Sequence, residues 1–166
     1  MNPSSQLEND SKHIQNVQLK DKLISAFYDT MKIMVGILEQ NNKICQVISV
    51  NFAIVFIKDF LKEHFHPKVR TEEFYTSNPV TVFMEKIKPF EKEISERKIE
   101  FFVSHIDVLF EIPSNPMYQN IKETIVNMLV YGKCGEQTML NVENNHRHLW
   151  ETFDILVKIG RKYSTL

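Results

Sequence analysis

The histidines are the first candidates for chemistry, because four of them come in two close pairs. His64 and His66 are two residues apart, and His146 and His148 repeat that spacing. A zinc-binding helix uses two histidines four residues apart, whereas positions i and i+2 of a helix point about 200° away from each other. The spacing therefore favours polar groups at helix ends, and we predict no metal site and no cofactor. A composite site of His64, His66 and either His146 or His148 is the alternative.

The two cysteines are the next candidates. Cys45 lies in an apolar run, where cysteine usually behaves as a small hydrophobe, and Cys134 lies in the glycine-flanked segment GKCG. They are far apart and form no CxxC pair, so we expect two free thiols in a reducing compartment. A catalytic thiol needs a histidine or a helix N-terminus to lower its pKa. His105 or His146 could approach Cys134, but no local signature supports this, and we predict an inert loop thiol.

Carboxylates are concentrated between residues 91 and 100, where they alternate with basic side chains. This alternation is typical of a solvated helix face. The four glycines form neither GxGxxG nor GxxxxGK[ST], and GxSxG, HExxH and EF-hand patterns are also absent from the sequence. We therefore predict a protein that is not an enzyme and has no catalytic residue. An enzyme or metal protein that uses cysteine and histidine is kept as an alternative.

The composition is that of an ordinary globular protein. Of the 166 residues, 43 % are hydrophobic and 25 % are charged, and the formal net charge is −1. No region is basic enough to predict a nucleic-acid surface. Residues 1–13 lack the basic and apolar regions of a signal peptide. We therefore expect an intracellular protein, or one that is assembled inside a cell.

The spacing of apolar residues predicts helices throughout. Residues 17–40 place large apolar side chains at offsets 0, 4, 8, 11 and 15, which is one face of a helix: Leu23, Phe27, Met31, Met34 and Leu38. Ser77-Asn78-Pro79 predicts a helix start, Ser114-Asn115-Pro116 repeats it, and Pro89 should break the helix between them. No strand alternation or hairpin signal occurs in the sequence.

The run from Ile44 to Ile57 contains 14 uncharged residues, 11 of them apolar. As a helix it measures about 21 Å, which is shorter than the ~30 Å hydrocarbon core of a bilayer. We predict an all-α, single-domain bundle of five to seven helices packed around this run as a central helix (about 43–65). Residues 1–16 should form a flexible tail and residues 17–166 the helical domain. Any side of the central helix that the bundle leaves uncovered would bind a partner.

Aromatic residues outside the predicted apolar faces are candidates for partner binding. Phe74 and Tyr75 lie in a predicted loop, and Tyr118 follows a proline. Exposed aromatic side chains are common anchors of protein interfaces. We therefore predict that Phe74, Tyr75 and Tyr118 contact other protein subunits.

The C-terminal half resembles an uncharacterised helical family of nucleocytoplasmic large DNA viruses over about 70 residues. The residues that carry the resemblance are Pro89-Phe90, Glu100-Phe101-Phe102, and Leu149-Trp150 with Leu156. The resemblance implies no catalytic residue and favours a viral structural or accessory protein. A composition with 17 Ile, 16 Lys and 13 Asn against two Ala is consistent with an AT-rich source.

Together these features predict a non-enzymatic helical interaction or assembly protein, such as a minor capsid or virion-associated component. Its partners would be other protein subunits, in an oligomer or a larger assembly, with no nucleic acid and no transmembrane segment. The alternative is a soluble regulatory adaptor of transcription or host signalling.

Overall fold

The computed structural model describes residues 2–110, 112, 116–135 and 138–166. Five helices have nine or more residues: α1 (Pro3–Cys45), α2 (Ile48–Phe65), α4 (Pro79–Ile87), α7 (Pro116–Leu129) and α8 (Val142–Ser164). Short helices are α3 (Glu72–Thr76), α5 (Glu91–Ser95) and α6 (Glu100–His105), with 3₁₀ turns at Lys88–Phe90 and Ile106–Val108. β1 (Lys133–Cys134) and β2 (Thr138–Met139) form one small antiparallel ribbon.

The prediction of an all-α, single-domain bundle is confirmed, because the helices share one continuous hydrophobic core. The core combines α1, α2, α4 and α8 with the segment from Phe101 to Phe110 and with α7. Within the described part of the chain, no helix combines the length and the apolar character that crossing a membrane requires.

The prediction that the helix at about 43–65 is central is wrong. The chain breaks at Gln46, which has a left-handed φ of 55°, and α2 begins at Ile48. The central position belongs to α1, which packs against α8, α2 and α7. The packed part of α1, from Leu23 to Cys45, is about 35 Å long and contacts all three of these helices. The apolar run has neighbours on one side only.

Residues 3–16, which belong to the predicted flexible tail (1–16), form the first turns of α1. Every residue from Asn2 to Asn16 is exposed, and buried side chains of α1 begin at Leu23. Met1 lies outside the described residues. This part of α1 has no tertiary packing among the described residues, so its flexibility stays a prediction.

The proline-based predictions of helix ends are confirmed where the structure describes them. Asn78 caps α4, since its side-chain oxygen accepts hydrogen bonds from the backbone N–H groups of Val80 and Thr81, and Pro79 is the first helical residue. The α4 helix ends at Ile87, and Pro89 lies in the 3₁₀ turn that follows. At the third site, Ser114 and Asn115 lie outside the described residues, while α7 begins at Pro116.

Gly160 allows α8 to approach α4 closely. A Cβ atom at this position would lie 2.7 Å from Cγ of Met84 and closer still to its Sδ atom. A real Cβ does not approach another atom so closely, so Met84 would have to move. The absence of a side chain at Gly160 therefore sets the distance between the two helices at this contact.

We expect Gly160→Ala to lower the free energy of unfolding by about 1–2 kcal/mol, because overpacking outweighs the better helix propensity of alanine. Urea unfolding of the purified protein would measure this change. Gly36→Ala is the matched control: a Cβ at Gly36 meets nothing within 4 Å, so this change should stabilise the protein by about 0.5–1 kcal/mol. A Gly160→Ala protein as stable as the Gly36→Ala protein would contradict the close contact.

Candidate protein-interaction surface

Large apolar side chains are exposed at the end of α1 and in a row on the outer side of α2, and together we call them the apolar stripe: Ile44, Ile48, Phe52, Val55 and Phe56. Ile48 and Phe52 are each 71 % exposed, and Ile44 and Val55 are 62 % and 59 % exposed. Phe56 is 40 % exposed. The four members on α2 follow one another at offsets 0, 4, 7 and 8, so they share one side of the helix. No charged residue lies between Ile44 and Ile57.

The stripe exists because α2 is apolar on two faces. The inner face buries a second set at helical spacing: Val50, Ala53, Ile54, Ile57, Leu61 and Phe65. This inner set supplies the buried contacts of α2 with the core. The sequence shows that both faces are apolar, but the number of helices around α2 decides which face stays open.

The junction between α1 and α2 is held by the Asn42 side chain. Its Oδ1 atom accepts a hydrogen bond from the Val47 backbone N–H at 3.0 Å, and its Nδ2 group donates to the Val47 carbonyl oxygen at 3.1 Å. The same Nδ2 group donates to Oδ1 of Asn51 at 2.7 Å. These bonds take the place of helical ones where the chain turns, and so they orient the first turn of α2 and the stripe.

The prediction of two free thiols is wrong, because Cys45 and Cys134 form a disulfide with their Cα atoms 5.6 Å apart. They are 89 residues apart in sequence, but β1 returns the chain to the C-terminal end of α1. Cys134 is therefore not available as a nucleophile. Disulfides persist mainly in oxidising environments, so the argument from free cysteines to a reducing compartment no longer holds.

A hollow of about 320 Å³ lies beside the C-terminal half of α2, next to the stripe. Phe60, which follows Phe56 by one turn, lines the hollow, and the imidazole of His64 stacks on Phe60 with ring centroids 3.8 Å apart. The opposite wall is formed by residues of the following segments: Pro67, Phe74, Pro79 and Val82. The exposed surface of α2 is thus convex at Ile48 and Phe52 and concave beside Phe60.

Two of the three predicted partner-binding residues border this surface. Tyr118 of α7 is half-buried, and its ring centroid lies 6.2 Å from that of Phe56. Phe74 is also half-buried, lines the hollow, and has the guanidinium carbon of Arg70 5.1 Å from its ring centroid. Their role in partner binding stays a prediction, and the structure places both beside the stripe.

Tyr75 belongs instead to a partly buried polar network between α1, α3 and α8. Its hydroxyl donates to Asp21 at 2.8 Å, and its carbonyl oxygen accepts from the Tyr163 hydroxyl at 2.6 Å. Burial raises the pKa of Tyr75, and the hydrogen bond to the Asp21 carboxylate raises it further. Arg70 also bonds to Asp21. These contacts give Tyr75 a structural use, and its predicted partner contact remains untested.

His64, His66 and His146 each make a separate contact. Nδ1 of His64 lies 2.8 Å from the Phe60 carbonyl oxygen, and Nε2 of His146 lies 2.7 Å from the Val130 carbonyl oxygen. His66 packs edge-on against the Tyr28 ring at 4.6 Å. Within residues 2–110, 112, 116–135 and 138–166, no group of three or more His, Cys, Asp or Glu residues is placed to hold a metal ion. The composite histidine site is therefore not formed.

A larger groove of about 890 Å³ lies between α4, α5 and α8, on another part of the surface. Its floor is apolar, at Met84, Ile87 and Val157, and its rim carries charges of both signs from Glu85, Lys88, Glu91, Lys92 and Arg161. The rim residues are exposed, and no buried polar group points into the groove in the described residues. This arrangement is typical of a solvated junction between helices and selects no ligand class.

No protein-family model, curated protein or solved structure matches this chain. The exposed surface of α2 must therefore be interpreted from its own chemistry.

Proposed function

We propose that this protein is a non-enzymatic helical interaction protein that binds another protein through the apolar stripe of α2. The observation that carries the proposal is the exposure of Ile48, Phe52 and Val55 in one row on a helix whose opposite face is buried in the core. If a large apolar residue has an area of about 200 Å², the five stripe residues expose roughly 600 Å². Contiguous apolar patches of this size on a monomer are often binding sites.

The composition of the stripe also supports an interface. The centres of protein interfaces are enriched in aromatic residues and depleted of charge, and their rims are polar. Phe52 and Phe56 supply the aromatic residues, and the nearest charged positions along the chain are Lys43 and Lys58. Lys58 forms an ion pair with Glu39, so it borders the stripe without opposing an apolar partner.

The biological setting is part of the same proposal. The resemblance of the C-terminal half to proteins of large DNA viruses favours an assembly component of a virion, such as a minor capsid protein. A regulatory adaptor would use the same surface, because both roles require a partner that covers the stripe. Mass spectrometry of purified particles from a viral source would distinguish the two roles, since an adaptor should be absent from the particles.

The direct test is photo-crosslinking with a photoreactive amino acid at position 52 in the cells in which the chain naturally occurs. We expect adducts of discrete mass, because a partner that buries the stripe must contact this side chain. The matched control places the photoreactive amino acid at position 155 instead, since Ile155 is 48 % exposed on α8 and lies outside the stripe.

Adducts at position 52 and none at position 155 would support an interface on α2. No adduct at position 52, or the same adducts at both positions, would overturn the proposal. The mass of the adduct also distinguishes a second copy of the 19.6 kDa chain from a different protein.

A further inference from the structure

We infer that the occupant of the apolar stripe is a second copy of this chain, bound antiparallel across a twofold axis near Phe56. The inference rests on the proposed function, because it names the partner of the same surface. A twofold interface requires a self-complementary patch, in which residue i contacts residue j and residue j contacts residue i. The surface of α2 meets this requirement in shape, area and charge.

Shape is the first argument. The convex part of the surface, at Ile48 and Phe52, lies near the N-terminal end of α2, and the 320 Å³ hollow beside Phe60 and His64 lies near its C-terminal end. Phe56 is equidistant in sequence from Phe52 and Phe60, and also from Ile48 and His64. An antiparallel copy centred on Phe56 therefore brings each convex part to the hollow of the other copy.

The direction of the stripe agrees with this pairing. Ile48, Phe52, Phe56 and Phe60 follow one another every four residues and so form a single ridge on the helix surface. A second copy that crosses at about 20°, the angle of long helix pairs in bundles, keeps this ridge in contact over several turns. From Ile48 to Phe60 the ridge extends about 18 Å, so the contact covers most of α2.

Area is the second argument. The four stripe residues on α2 offer roughly 480 Å² per copy, and Phe60, Val82 and Tyr118 add to this area at the edges. Interfaces of standard size bury about 600–1,000 Å² per partner. The surface therefore suits a reversible dimer with a dissociation constant on the order of micromolar.

Charge is the third argument. Residues 48–57 carry no charge, and in the antiparallel pair they face the half of the other α2 that carries its charges: Lys58, Asp59, Lys62 and Glu63. No two like charges are therefore directly opposite one another. The formal net charge of the chain is only −1, so long-range repulsion between copies is small. A strongly charged partner would find no opposite charge on the stripe.

The test uses sedimentation equilibrium of the full chain, purified with its disulfide intact, from about 1 to 100 µM. We expect a reversible dimer of the 19.6 kDa chain. Phe52→Asp on the convex part and Val82→Asp at the hollow should each raise the dissociation constant about 30-fold or more, as loss of a hot spot does. Ile155→Asp is the matched control and should leave it unchanged. Urea unfolding confirms that each variant is folded.

Engineered cysteines test the geometry under mild oxidation, since the native pair is already joined. Phe56→Cys lies at the axis and should form a disulfide-linked dimer with itself. Ile48→Cys should fail to do so alone but should link to His64→Cys when the two variants are mixed. Efficient linking of Ile48→Cys to itself would indicate a parallel pair and would overturn the inference.

A purified chain that stays monomeric at 100 µM would also contradict the inference that a second copy of the chain binds the stripe. A different result would contradict the proposed function, namely the absence of a specific crosslink from position 52 in cells. A monomer in solution whose position 52 links to a different protein would therefore reject the dimer and keep the interaction surface.

Discussion

Replacing Cys45 and Cys134 together with serine should lower the free energy of unfolding by about 3–4 kcal/mol. The bond closes a segment of 89 residues, and a crosslink of this length removes much of the conformational entropy of the unfolded chain. It also joins the end of α1 to β1, next to the junction from which α2 starts. Guanidinium unfolding of the oxidised wild-type protein and of the double variant would measure the difference.

Reduction supplies the control for this experiment. Wild-type protein in excess dithiothreitol should unfold like the double serine variant, because both lack the same crosslink. The native oxidised protein should show no reactive thiol when it is unfolded in a thiol assay. Two reactive thiols per chain, or equal stability with and without reductant, would contradict the disulfide.

Replacing either Asn41 or Asn145 with alanine should destabilise the protein by about 2–3 kcal/mol. The two side chains lie between α1 and α8, only 8 % and 4 % exposed, and each amide donates to the oxygen of the other at 3.0 and 2.9 Å. Removing one partner leaves the other amide buried without the bonds that the pair exchanged, although Nδ2 of Asn41 still donates to the Ile37 carbonyl oxygen at 2.8 Å. That desolvation cost is larger than the net value of the bonds themselves.

A double-mutant cycle would measure the coupling between the two amides. The double alanine variant should be only slightly less stable than either single variant, because no orphaned amide remains, so the coupling energy should be about 1–2 kcal/mol. Asn127→Ala is the control: Asn127 is exposed on α7, and its loss should change stability by less than about 0.5 kcal/mol. Strictly additive effects of Asn41→Ala and Asn145→Ala would contradict the reciprocal pair.

Local sequence signals predicted the parts of the fold that depend on local physics. The start of α4 at Pro79 and its end before Pro89 follow from the fixed φ of proline and from the capping ability of Asn78. The apolar face from Leu23 to Leu38 follows from helical periodicity. The five apolar residues of this face are all buried in the structure: Leu23, Phe27, Met31, Met34 and Leu38.

Contacts between distant segments did not follow from local spacing. Glu93 and Arg97 have the spacing of a helical ion pair, but α5 ends at Ser95 and Arg97 adopts a φ of 55°. Arg97 instead binds both carboxylate oxygens of Asp154 on α8 and stacks near Trp150. The Asp154 carboxylate is thereby bound to an arginine 57 residues away.

The proposed interaction surface was only partly predictable from the sequence. The sequence shows a run from Ile44 to Ile57 that is apolar on all sides, together with aromatic residues such as Tyr118 and Phe74 that fall outside helical faces. It does not show how many helices pack around that run. Because α1 occupies the centre of the bundle, α2 lies at its edge and keeps one apolar face exposed.

By itself, the sequence determined the helical class, the proline-marked helix ends and the residues that share each helix face, because these depend on neighbours within a few positions. The tertiary structure alone decided that Cys45 meets Cys134, that α1 replaces the apolar run as the central helix, and that Phe52 remains exposed. Each of these outcomes depends on the packing of segments far apart in the chain. Hydrophobicity predicts that an apolar face will be covered, but only the tertiary packing determines which segment covers it.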